Sequence, residues 1–313
     1  MPHYRLAFVT PADAPAWQRW AVFSPLARIV FFVVVFAILS VAVGFGARAV
    51  SVAKAAMDGP LWQLAFRAVL PLIAYLVLVK SIEHRRLREL DLRRLLPDGA
   101  LGLVAGVALF SAVVGVLWLL GSYHVVGGNA HPHWIVAALT VGLGAGVGEE
   151  IMFRGVLYRI TEEGLGTWLA LLISALFFGA VHLGNPGATL WAGAAIAIEA
   201  GILFGLLYLV TRSLWVCMGL HAAWNFMQGT VYGIPVSGTH ADGWLVSTRN
   251  GPDWLSGGVF GAEASVVALT LCLLASAALL AVALRRGLIV PPRWRRMGVQ
   301  AGGRSLSMPP TAS

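Results

Sequence analysis

The sequence predicts an all-α fold, a polytopic bundle of about eight transmembrane helices, and three observations carry that reading. Of the 313 residues, 58% belong to the hydrophobic set and 12% are charged, with a mean hydropathy of +0.80; a soluble domain carries about a quarter charged residues. Apolar runs near the length that crosses a bilayer as a helix recur along the chain. The net charge of +8 is gathered into short connections and a tail, which marks membrane orientation and not a nucleic-acid surface. These features exclude an ordinary soluble fold, a disordered chain and a nucleic-acid-binding protein.

The expected spans cover about residues 29–47, 60–79, 99–121, 134–158, 166–184, 189–210, 213–232 and 258–284. Residues 1–28 contain Asp13, Pro15, Arg19 and Arg28 and form a polar segment before the first span, without the pattern of a cleaved signal peptide. Residues 29–133 hold the N-terminal helices, 134–232 a core rich in ionisable groups, and 258–284 the last helix. Between the last two lies 233–257, a Gly- and Ser-rich external loop with Trp244 and Trp254 as interfacial anchors. Residues 285–313 read as a basic, disordered cytoplasmic tail. The loop from Lys80 to Asp98 spaces Leu87, Leu90, Leu92, Leu95 and Leu96 among Arg and Glu, as a short amphipathic surface helix or a solvated loop would.

With eight spans, eighteen Arg and Lys residues fall on the side that carries both termini, among them Arg5, Arg19, Arg28, Arg85, Arg159, Arg212 and Arg304, against Arg48, Lys54 and Arg249 on the other. Both termini are therefore expected in the cytoplasm, in a multi-pass protein of the cell (inner) membrane. Twenty Arg against two Lys, with abundant Ala and Gly, is the usage of a GC-rich bacterial coding sequence. Cys217 and Cys272 lie inside apolar segments and offer neither a disulfide framework nor a zinc pattern. Small residues four apart, such as Gly102 with Gly106 and Gly201 with Gly205, allow close helix packing.

Ionisable groups in hydrocarbon cost at least about 2.5 kcal/mol each and need a partner, a wet cavity or a task. Here they gather: Glu149 and Glu150 in the fourth span, His182 in the fifth, Glu199 in the sixth, His221 with Asn225 in the seventh, and Arg67 in the second. Glu150 and Arg154 stand four apart and pair within one helix, whereas Glu149, about 100° round the axis, faces elsewhere and is free. His221 and Asn225 share one face. A rise of about 1.5 Å per residue puts Glu149, His182, His221 and Asn225 roughly 14 to 24 Å from the cytoplasmic ends of their helices, so one buried cluster is feasible. Glu199 and Arg67 could pair across helices, or Glu199 could line the cavity; the structural reading is the better supported. His124, His131 and His133 belong to a connecting loop, where His-x-His is ordinarily solvated.

Three motifs emerge: Glu149-Glu150-x-x-x-Arg154, Phe178-x-x-x-His182 and His221-x-x-x-Asn225, in that order and each in an expected helix. Over about residues 134–230 the chain resembles the CAAX protease and bacteriocin-processing (CPBP, or Abi) family, related to the type II CAAX prenyl endopeptidase. The resemblance implies an intramembrane endopeptidase acting on a membrane-associated peptide or protein. Glu149, with His182, would activate water; Asn225 and His221 would stabilise the oxyanion; Glu150 and Arg154 would be a supporting pair. The family has been described both as metal-free and as metal-dependent. In the second case Glu149, His182 and His221 would be the ligands of a divalent metal such as zinc, although the compact H-E-x-x-H signature is absent. Buried Glu, His and Arg also suit a transporter or channel, and a silent scaffold of the same fold is a third reading.

Overall fold

A computed structural model describes residues 6–50, 54–57 and 59–296. Arg5, Arg304 and the tail from residue 297 lie outside the described residues. The chain forms an all-α bundle with one small sheet. Among the described residues eight longer helices form it: α1 (Pro25–Ala49), α2 (Pro60–Ile82), α3 (Leu95–Leu119), α4 (Trp134–Leu165), α5 (Thr167–His182), α6 (Leu190–Thr211), α7 (Leu214–Phe226) and α8 (Val266–Arg285). Among the described residues six helices are long and apolar enough to cross a membrane, two fewer than the segments the sequence suggests. The segment expected at 166–184 becomes α5, only 16 residues long. That expected at 213–232 becomes α7 with a π-helical extension, Met227–Val231, and His221, Asn225 and Gln228 lower its hydropathy.

Helix starts follow local chemistry. Ser24, Thr189 and Ser265 each accept a hydrogen bond from the backbone N–H three residues on, at 3.2, 3.1 and 3.1 Å, and Pro25 occupies the first turn of α1, where no donor is missed. Position in the bundle follows packing. α1 shows Val30, Val33, Val34, Ile38, Val41 and Phe45 to its surroundings, as a lipid-facing helix does. α7 is buried on almost every side, the mark of a central helix. It lies against α3 with Gly102, Gly106 and Gly219 at the seam; a Cβ on Gly102 would come within 2.2 Å of the Val216 carbonyl oxygen.

One end of the bundle is knitted by buried ion pairs. Arg28 bonds Glu83 and Glu163 at 2.7 Å each, Arg159 bonds Glu83 at 3.0 Å and Glu163 at 3.2 Å, and Arg85 bonds Glu83 at 2.6 Å. Burial by itself would raise the Glu83 carboxyl, but Arg159, Arg85 and Arg28 outweigh it and bring its pKa to about 2. This network replaces the amphipathic helix considered for Lys80–Asp98: the segment folds as two single 3₁₀ turns, Arg88–Leu90 and Leu92–Arg94, ahead of α3. Glu83 turns inward to meet Arg28 of α1 and Arg159 of α4, and Arg85 bonds both Glu83 and Glu89, a tertiary pull that leucine spacing does not report. Arg212 joins α6 to α4 through Glu162, at 2.5 Å. The start of the supposedly disordered tail is also docked: Val290 exchanges hydrogen bonds with Thr167, and Arg296 donates to the Glu163 carbonyl.

At the other end the expected loop 233–257 contains a strand. β1 (Tyr123–Gly128) and β2 (Leu245–Arg249) form an antiparallel ribbon with a bulge between Val125 and Gly127. Asp242 ties the ribbon to the start of α4, accepting from Asn129 at 2.8 Å and from the His133 backbone N–H at 2.9 Å, and contacting the His133 ring at 2.7 Å. The His133 hydrogen bonds hold its carboxyl below the usual range. The last helix starts at Val266, eight residues later than expected. Residues 257–265 instead fold back over the bundle around a 3₁₀ turn, Ala262–Ala264.

Candidate active site

Glu149 and Glu150 stand on α4 immediately before a π-helical stretch, Ile151–Tyr158, a local widening found often at functional sites. Gly148 sets their position: a Cβ there would lie 1.6 Å from the Arg67 carbonyl oxygen, so the backbones of α2 and α4 touch where only glycine fits. The two carboxylates then part as helical geometry requires. Glu150 and Arg154 are fully buried and bonded at 2.9 Å. The Arg154 guanidinium also donates to the Ala200 carbonyl at 2.8 Å and lies between the rings of Phe178 and Phe204, 4.6 and 4.9 Å from their centres. Glu150 makes a second contact that spacing alone does not reveal, with His221 Nδ1 at 2.9 Å.

His182 and His221 are oriented alike. A carbonyl oxygen cannot donate, so the 2.7 Å contact between His182 Nδ1 and the Phe178 carbonyl places a proton on Nδ1. The Glu150 carboxylate, charge-balanced by Arg154, does the same for His221. Both rings thereby turn Nε2 toward Glu149. Glu149 Oε2 is 3.8 Å from His182 Nε2 and 3.9 Å from His221 Nε2, and this buried oxygen has no hydrogen-bond partner among the described residues. Those gaps are too long for direct hydrogen bonds and suit one water shared by three groups. Asn225, one turn beyond His221, donates through Nδ2 to the Val141 carbonyl at 2.9 Å and keeps its second N–H for another acceptor.

A cavity of about 40 Å³ opens beside these groups, with Phe178, His182, His221 and Asn225 on its wall. All the motif residues therefore meet in one place. Two further carboxylates share the cavity, Glu199 from α6 and Glu263 from the folded-back segment. Glu199 does not pair with Arg67, which is exposed. Sequence reasoning missed Glu263 because it fell inside an apolar stretch taken as the last helix; an acidic residue in such a stretch was the available signal.

Three ligand atoms around a tetrahedral zinc lie about 3.3 Å apart, given bonds near 2.0 Å. The two edges seen here are 3.8 and 3.9 Å, and among the described residues no group of three or more His, Cys, Asp or Glu is placed to hold a metal ion. The donor set expected for zinc is present in kind but spread for a water.

Residues 131–227 match the family model described as Type II CAAX prenyl endopeptidase Rce1-like, in line with the resemblance drawn from the three motifs. The matched stretch contains every motif residue and stops short of Glu263. No curated protein matches the chain.

Proposed function

We propose that this Rce1-like core makes the chain an intramembrane endopeptidase that hydrolyses a peptide bond of a membrane-associated protein or peptide. The observation that carries the reading is the unpartnered Glu149 Oε2, set almost equidistant from the Nε2 atoms of two imidazoles that line a cavity. Glu149 takes a proton from water as the water oxygen bonds to the peptide carbonyl carbon. The carbonyl oxygen becomes an oxyanion, which the free N–H of Asn225 and a protonated His221 Nε2 stabilise. On collapse the carbon–nitrogen bond breaks, and the proton held between Glu149 and His182 passes to the leaving amine. Glu150 and Arg154 act as positioning residues: the carboxylate fixes the His221 ring, and the guanidinium, clamped by two aromatic faces, fixes the carboxylate.

The basic residues support an orientation with both termini in the cytoplasm of a bacterial cell membrane. The test is hydrolysis by the full-length protein in proteoliposomes, read as new peptide termini by mass spectrometry on membrane peptides of the source cell. Glu149→Gln should slow cleavage about 10²- to 10⁴-fold without lowering the melting temperature, because Oε2 holds no structural bond. Undiminished cleavage by that variant would remove Glu149 from the chemistry. Solute flux across the liposome membrane, blocked by the same substitution, would replace the protease with a transporter.

A further inference from the structure

The cavity holds more carboxyl groups than hydrolysis needs. Glu199 and Glu263 are each 3% exposed, and neither Lys nor Arg lines the cavity. Glu263 Oε1 accepts a hydrogen bond from the Ser237 hydroxyl. Glu199 Oε2 accepts from nothing among the described residues, although it is buried in a helix interior where an unsatisfied carboxylate is costly.

The fold takes pains to put Glu263 there. Gly261, at φ +129°, passes the Pro235 carbonyl so closely that a Cβ would come within 2.2 Å of its oxygen, a conformation and a clearance open to glycine alone. Trp191 Nε1, on α6, donates to the Ala264 carbonyl at 2.7 Å, and Gln228 Nε2 donates to the Pro235 carbonyl at 2.6 Å. The segment is therefore tied directly to α6, and the carbonyl that Gly261 passes is held by the π-helical extension of α7. Two buried acids brought together from distant parts of the chain, one with an idle oxygen, fit a cation that arrives with the substrate. A cavity of about 40 Å³ has room for an ammonium head, which brings three donors and one compact charge.

We propose that Glu199 and Glu263 form a cation subsite beside the hydrolytic centre, selecting peptides that carry a lysine side chain close to the scissile bond. The subsite rests on the endopeptidase reading and adds a substrate class to it. Glu199 supplies the open acceptor; Glu263, held by Ser237, supplies the second carboxyl; the His182 imidazole, on the same cavity wall, links the subsite to the catalytic groups.

The experiment compares fluorogenic peptides that carry one lysine or one norleucine at each of four positions on either side of the cleaved bond. The full-length protein in proteoliposomes is assayed as wild type, Glu199→Gln and Glu263→Gln. At one position wild type should prefer lysine by roughly tenfold in kcat/KM, equal to about 1.4 kcal/mol, and both variants should bring the ratio close to one. No lysine preference at any position, or a preference that survives both substitutions, overturns the subsite. If wild type cleaves none of the peptides, the endopeptidase reading is what fails, and the subsite is judged by melting temperature in detergent. There n-butylammonium should stabilise wild type more than n-butanol does, and Glu199→Gln should abolish the difference; equal effects of the two compounds on wild type overturn it.

Discussion

Replacing Glu150 by Met tests whether one carboxylate serves both the stability of the bundle and the orientation of His221. In the native protein Glu150 and Arg154 have no exposed side-chain surface and sit 2.9 Å apart, a Coulomb attraction of about 6 kcal/mol at an effective dielectric near 20. Part of that repays the cost of burying two charges. Glu150→Met leaves Arg154 with the Ala200 carbonyl and two ring faces but no counter-charge, a loss expected at about 3–5 kcal/mol. Glu150→Met with Arg154→Met removes both charges at similar volume and should regain most of it, since an apolar replacement of a buried pair is often neutral. Activity should behave differently. His221 Nδ1 has lost its acceptor in both variants, so each should hydrolyse about 10²- to 10⁴-fold more slowly than wild type. Thermal unfolding in detergent, read beside a peptide-cleavage assay, separates the two effects. Equal melting temperatures for the single and double variants would refute the uncompensated-charge argument, and an active double variant would refute the positioning role of Glu150.

Three other outcomes follow from the geometry. Gly148→Ala drives a methyl into the Arg67 carbonyl and should cost at least about 1–3 kcal/mol while displacing Glu149; a wild-type melting temperature would show that α2 and α4 do not touch as described. Glu83 has its pKa lowered from 4.5 to about 2, so its stabilisation is complete above the unfolded value and disappears as pH falls from about 4.5 toward 2, a change worth about 3 kcal/mol. Over that interval Glu83→Gln should melt with less dependence on pH than wild type, and parallel curves would locate the acid sensitivity elsewhere. Finally, active purified protein should contain well under one zinc per chain and keep its rate after chelation; stoichiometric zinc whose removal abolishes cleavage would show that Glu149, His182 and His221 close around an ion.

What the sequence discloses here is what periodicity and hydropathy encode. Glu150 and Arg154 were readable as a pair because four residues bring side chains together on any helix, and Glu149 was readable as free for the same reason. The meeting of α4, α5 and α7 was legible only through the three motifs. The contact from His221 to Glu150 was not legible, because it depends on how α7 settles against α4. Hydropathy misplaced the start of α8, since an apolar stretch packed as a folded-back segment has the same composition as a span. It also treated the arginines near Glu83 as markers of topology, whereas Arg28 and Arg159 bond to this buried acid from other segments and Arg85 bonds to it from two residues away. Charge count tells which side a loop occupies and nothing about which acid it meets.

The burial of α7 bears on how the protein is made. Carrying His221, Asn225 and Gln228, this segment lacks the hydropathy by which a nascent helix partitions from the translocation channel into lipid unaided. Its glycine seam with α3 joins parts of the chain about a hundred residues apart, so α3 has left the ribosome well before α7 emerges. This helix thus enters a berth prepared by earlier helices, and a bulky residue at Gly102 or Gly106 should strand it during biogenesis, before any question of chemistry arises.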